Sequence, residues 1–263
     1  MIGAIILVIV ATTVTLILQG QSSSPVPVPG YASGKWALKF DDEFTGPGLD
    51  TSKWSTGWYG SGVTAPVSDQ EDDCYDPAQV SQGGGALSLA LTRKSQDCGN
   101  GDARYAAGLV STQGKFSFTY GLAEARVWLP AVTGKPGEVA NWPAVWADGK
   151  TWPQDGEIDI AEAIGGRLCG HLHNTASPGG IGAGGGTGCP AGSYTGGWHT
   201  FAVNWEPGNI TFYYDGRDVG SVTSGVTTAP MFLILDYATG GAGGPSQAPA
   251  TMKVDYVRVW QHS

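Results

Sequence analysis

The sequence predicts an all-β sandwich of two packed antiparallel sheets, and three observations carry that prediction. Gly supplies 42 of 263 residues while charged residues make up only 14%, a composition suited to short strands joined by glycine turns and unsuited to helices with charged outer faces. Segments that alternate between apolar and polar residues recur between turn signals. No unit of fixed period repeats, which disfavours a propeller or a solenoid. The length suits one large domain.

Taken in chain order, residues 1–20 are almost continuously apolar and carry no Lys or Arg. They are expected to be either a signal peptide or an uncleaved membrane anchor, and both mark an exported, extracellular or cell-surface protein. Residues 21–34 form a Ser/Pro-rich, semi-extended linker, and 35–263 hold the folded domain. Within it, alternation predicts strands over 86–92, 114–120, 123–128, 170–174, 199–205, 210–214 and 252–260, while 231–235 reads as buried on both faces. Trp205-Glu206-Pro207-Gly208-Asn209 and Asp215-Gly216 bracket one strand with turn chemistry, as consecutive antiparallel strands require.

The densest chemistry lies in Glu157-Ile158-Asp159-Ile160-Ala161-Glu162. On a helix the three carboxylates would point at roughly 0°, 200° and 140° and share no face. On a strand, Glu157 and Asp159 share one face and the isoleucines take the other. Glu162 rejoins the carboxylate face only through a β-bulge near Ile160-Ala161. Two glutamates around an aspartate on one face suit retaining glycoside hydrolysis, in which one carboxylate attacks and one carboxyl protonates the leaving oxygen, roughly 5–5.5 Å apart. Asp159 would keep its neighbours in different protonation states.

A net charge of −9 with only 14 Lys and Arg leaves no basic patch for a phosphate backbone and argues against nucleic acid. Four cysteines in an exported chain suggest two disulfides. Of the three pairings, Cys74–Cys98 and Cys169–Cys189 are favoured, since each closes a Gly-rich loop beside predicted strands. His171 and His173 share a strand face. Without a third histidine or an open ligand triad they are not read as a metal site.

The chain resembles glycoside hydrolase family 16 from Phe40 to Gln261. The matching pieces, in order, include Asp42-Glu43-Phe44, Gly108-Leu109-Val110-Ser111, Glu124-Ala125-Arg126, Trp142-Pro143-Ala144-Val145-Trp146, Gly156 to Glu162, Gly197-Trp198-His199 and Trp205-Glu206-Pro207. The resemblance implies a concanavalin-like β-jelly roll whose concave sheet forms a substrate cleft, making 35–263 a catalytic domain. It implies Glu157 as nucleophile, Asp159 as its electrostatic partner and Glu162 as general acid/base. The six-residue acid motif is similar to the laminarinase-type branch, which points to an endo-acting enzyme on β-1,3- or mixed β-1,3/1,4-glucan. Galactan hydrolysis, transglycosylation and a lectin-like binding role are the competing readings. No cofactor is required, a structural calcium on the convex side is admitted, and the protein is expected to act as a monomer.

Substrate contacts are expected from Trp146 and Trp152, whose indole faces can stack on a pyranose. Trp142, Trp128 and Trp260 are assigned to structure. The resemblance places His173 near the acid/base, and Arg126 can meet either substrate or nearby acids. Two segments depart from the family pattern. Ser68 to Tyr75 keeps only Glu71 and Tyr75 of the usual glycone-side segment, and Asp236 stands where the family often has an amide.

Overall fold

The computed structural model describes residues 34–182 and 188–263. The export segment and nearly all of the linker therefore lie outside the described residues, as do 183–187 of the glycine-dense loop. Two sheets, of ten and seven strands, pack face to face and are antiparallel except where Asp73–Tyr75 runs parallel to Asp102–Ala107; among the described residues the one helical element is a 3-10 turn, Pro77–Gln79. This is the sandwich that the composition predicts.

The seven-stranded sheet runs Ser177–Gly182, Arg167–Asn174, Glu157–Ile164, Trp142–Asp148, Phe232–Ala238, Leu109–Ser111, Ser55–Thr56. The acid strand thus lies inside the sheet, paired on both edges. Its inward side chains, Ile158, Ile160, Ala161 and Ala163, are buried in the common core. From the other sheet Phe201, Val203 and Trp205 come from the strand that packs across from the acid strand, and Leu87, Leu89 and Leu91 join the same core opposite Phe232–Ala238. Each such aliphatic or aromatic side chain contributes about 1.5–3 kcal/mol by leaving water.

The expected bulge is present. Toward Trp142–Asp148, Val145 pairs with Ala161 but Trp146 pairs with Asp159. Toward Arg167–Asn174, His171 pairs with Asp159 and Cys169 with Glu162. Both ladders therefore pass over one extra residue, so Ile160 and Ala161 both turn inward and Glu162 returns to the face of Glu157 and Asp159.

One predicted strand is corrected. Residues 114–120 do not form a ladder strand; only Phe118 makes an isolated bridge, to Met231. The Thr112 carbonyl takes the Lys115 and Phe116 amides, closing a turn at the start of the segment. The alternation instead serves packing: Phe116 stacks on Phe40, and Phe118 and Tyr120 meet Trp205 edge-on. Both favoured disulfides are formed, Cys74–Cys98 and Cys169–Cys189. The second ties Arg167–Asn174, the acid strand's neighbour, to Cys189. Replacing Cys169 and Cys189 with serine is expected to lower unfolding free energy by about 3 kcal/mol, measured by urea melts against the parent.

Candidate active site

A cleft opens on the outer face of the seven-stranded sheet, and its floor is the acid strand. Glu157, Asp159 and Glu162 all line it. The strand is entered through Gly156, whose φ of +83° disfavours a side chain and whose absent Cβ would come within 3.0 Å of Thr227. The preceding loop closes where the Gly149 amide donates to the Gly156 carbonyl. At its tip Trp152 is 50% exposed on the cleft wall.

Each carboxylate has distinct partners. Glu157 and Asp159 are hydrogen-bonded to each other. Asp159, only 2% exposed, also faces His173 Nε2 at 2.9 Å, and the His173 Nδ1–H donates to the Pro178 carbonyl at 2.8 Å. Glu162 Oε1 accepts from the Trp142 indole at 2.8 Å, and Oε2 lies 3.5 Å from His171 Nδ1. His171, beside the bulge, meets Glu162, whereas His173, two residues on, pairs across the ladder with Glu157 and faces Asp159.

Electrostatics follow from burial. Desolvation first, and the Asp159 charge second, push Glu157 well above the usual carboxylate range. Burial by itself would strip the proton from His173. The hydrogen bond and charge of Asp159, with the charge of Glu157, outweigh it and raise His173 to about 10. His173 is thus an imidazolium at neutral pH, offsetting one negative charge beside the Glu157–Asp159 pair.

The flanking wall carries further acid. Asp236 Oδ1 accepts from the Trp146 indole at 2.7 Å, and complete burial, then the Glu71 charge, hold Asp236 well above the ordinary range. Glu71 Oε2 accepts from the Val67 amide, and burial raises Glu71 to about 7. Asp148 is raised to about 8 by burial and then by Glu157. That direction favours the protonated form of Asp236, in which one oxygen accepts and the other can donate, the donor–acceptor pattern of the amide often found there in the resembling family.

Of the expected substrate contacts, Trp146, Trp152, His173, Glu71 and Asp236 line the cleft. Arg126 does not. It lies on Gly121–Trp128 in the ten-stranded sheet, pairs with Asp255 at 2.6 Å and covers the Trp198 ring. Trp142 is moved from structure to site, and its position was available from alternation, because Trp142, Trp146 and Asp148 share parity on one strand. Trp58, with its ring 5.6 Å from that of Trp146, also lines the wall. Carboxylates on the outer face of the ten-stranded sheet are engaged by protein groups: Glu43 by Arg258, Asp255 by Arg126, and Glu124 by the Tyr256 hydroxyl.

Comparison with known proteins agrees with this geometry. The model for glycosyl hydrolases family 16 matches residues 67–258. Glucan endo-1,3-beta-glucosidase A1 of Niallia circulans is 34% identical over 85% of this chain, which spans 38% of that relative's length. A beta-glucanase of Rhodothermus marinus is 30% identical, with 86% of this chain and 85% of the relative covered. The catalytic domain of an endo-1,3-beta-glucanase (laminarinase) from Thermotoga petrophila RKU-1 superposes with a TM-score of 0.72 at 26% identity, over 88% of this chain and all of that one.

The wall acids generate a stability prediction. Asp236 and Glu71 keep their protons in the folded state above the ordinary values of 3.8 and 4.5. Between those values and about pH 7 the unfolded chain releases protons that the folded chain retains, so stability falls as pH rises. Melting temperature measured from pH 5 to 8 is expected to drop for the parent. It should drop less for Asp236→Asn, which keeps the acceptor for Trp146 and removes a buried acid.

Proposed function

The chain belongs to glycosyl hydrolases family 16, and on that premise we propose that it is an exported endo-β-glucanase cleaving β-1,3- or mixed β-1,3/1,4-linkages with retention. The observation that carries this reading is the three-carboxylate strand face set between Trp142 and His173 in an open cleft. The relatives named above as glucanases support the substrate class, and the two disulfides support export.

In the first step a Glu157 oxygen attacks the anomeric carbon, the glycosidic C–O bond breaks, and Glu162 delivers its proton to the departing oxygen. Glu157 must be ionised to attack. Burial and the Asp159 charge oppose that ionisation, and the neighbouring His173 imidazolium favours it. The result is a glycosyl ester on Glu157. In the second step Glu162, now a carboxylate, takes a proton from water. That water attacks the same carbon, releasing Glu157 and restoring the β-anomer.

Trp142 holds Glu162 Oε1, which leaves Oε2 to serve the leaving oxygen. Trp152 and Trp58 present aromatic surface to sugar rings on the cleft walls. The reaction draws on carboxylates alone and needs no organic cofactor.

Two expected outcomes test this reading. Glu162→Gln should lower kcat on laminarin by about 10²–10⁴-fold, and Glu157→Gln should abolish turnover while circular dichroism and melting stay close to parental; undiminished cleavage by either variant sinks the assignment. NMR of the first product released should show the β-anomer. A panel of laminarin, lichenan and galactan with product sizing should give oligosaccharides from the two glucans, whereas release from galactan alone would move the substrate class.

A further inference from the structure

Among the described residues, Asp159, His171 and His173 form a group whose ligand atoms all lie within 4.8 Å of one another. We propose that these three side chains bind a late first-row divalent transition ion, zinc(II) in the first instance, and that its occupation switches hydrolysis off. The inference rests on side-chain geometry and goes beyond the glucanase reading, since it holds whatever polymer the cleft accepts.

Three features favour an ion here. His171 and His173 alternate onto the cleft face of one strand, and Asp159 stands opposite His171 in the ladder. The His173 Nδ1–H is fixed by the Pro178 carbonyl, so Nε2, 2.9 Å from Asp159 Oδ2, is the atom that ligates, the ion displacing to solvent the proton that Nε2 holds toward Asp159. A carbonyl behind a histidine is the usual outer support of a metal-bound imidazole. The ring is also packed against Gly180, where a Cβ would come within 3.0 Å of Nε2. Finally, Cys169, two residues before His171, is anchored by its disulfide to Cys189.

Tetrahedral zinc with bonds of about 2.0–2.1 Å sets its ligand atoms roughly 3.4 Å apart. To reach that size the widest pair closes by up to about 1.4 Å and the His173–Asp159 pair, now 2.9 Å apart, opens by about 0.5 Å. A fourth ligand is at hand, because Glu162 Oε2 is 3.5 Å from His171 Nδ1 and Glu157 Oε1 is 3.9 Å from His173 Nε2. Two imidazoles with one carboxylate suit zinc, copper or nickel over calcium or magnesium, which prefer oxygen. An ion so held takes Asp159 away from Glu157 and occupies the space into which the anomeric carbon must come.

The test uses the full chain without a histidine tag, stripped with chelator and titrated with zinc chloride by calorimetry. One saturable zinc per chain is expected at this site, and cobalt(II) chloride in its place should give visible absorption of a tetrahedral ion. His171→Asn and His173→Asn should each weaken zinc by about tenfold or more; should either fold poorly, the corresponding glutamine variant replaces it. His199→Asn, which removes the separate surface pair with Asp215, should leave this binding intact. Laminarin hydrolysis should fall in step with occupancy and recover with EDTA. The idea is overturned by an absence of saturable binding, by equal binding in both cleft variants, by loss with His199→Asn, by calcium or magnesium chloride binding as tightly, or by full hydrolysis at saturating zinc. Zinc binding without laminarinase activity in the metal-free protein would sink the substrate reading and leave the site standing.

Discussion

Everything in the cleft depends on one interruption of strand parity. Ile160 and Ala161 both point into the core, so the acid strand can bury four apolar side chains on one face and still present three carboxylates on the other. Because that strand is paired on both edges, its register also selects what surrounds it. The partner strands must offer Trp142, Trp146 and Asp148 on one side and His171 and His173 on the other. A bulge at a sheet edge could relax or slip. Here two ladders skip the same residue, and the core packing of Ile158, Ile160 and Ala163 holds that register from below.

The second consequence is electrostatic. Glu71, Asp148, Glu157, Asp159, Glu162 and Asp236 crowd one wall and floor, with Asp73 fully buried beside Glu71 and His173 as an imidazolium among them. Seven ionised carboxylates could not be desolvated together; a buried charge without a partner costs far more than the protonation that removes it. The wall therefore keeps protons. Asp73 illustrates this: one oxygen accepts from the Thr239 amide, the other has no hydrogen-bond partner, and burial holds the group well above the ordinary range. Such a wall mixes acceptors with acid O–H donors, which matches the mixed donor–acceptor surface of a neutral polyol.

How much of this was legible in the sequence follows from the range over which each signal acts. The acid strand and its bulge could be read because six residues fix their own parity, and chemistry permits only one face for three carboxylates. The disulfides could be read because each closes a local loop. Alternation failed at 114–120, since Phe116, Phe118 and Tyr120 alternate to pack against Phe40 and Trp205 while the backbone is tied into a turn at Thr112. Period two reports which side chains share a face and not whether a ladder partner exists. Arg126 was left between substrate and nearby acids for the complementary reason. Its own strand was recognised, but the sheet to which that strand belongs is settled by long-range pairing with residues 198–205 and 253–260.

Asp236 shows how sequence can overstate a change. Set against the amide often found at this place in the family, it reads as an added negative charge that ought to disturb sugar binding. Inside the folded chain the Trp146 indole takes one oxygen, and burial, with the Glu71 charge, pushes the group toward its protonated form. In that form the hydrogen-bonding pattern of the amide is matched by a different residue without an added charge. Divergence at this position then needs no change of linkage preference to explain it. Selectivity among β-glucans is better sought where the wall itself differs in shape, at Trp58 against Trp146 and at the exposed Trp152. There an indole face either meets the next sugar ring of a bent chain or misses it, and no protonation can compensate for the miss.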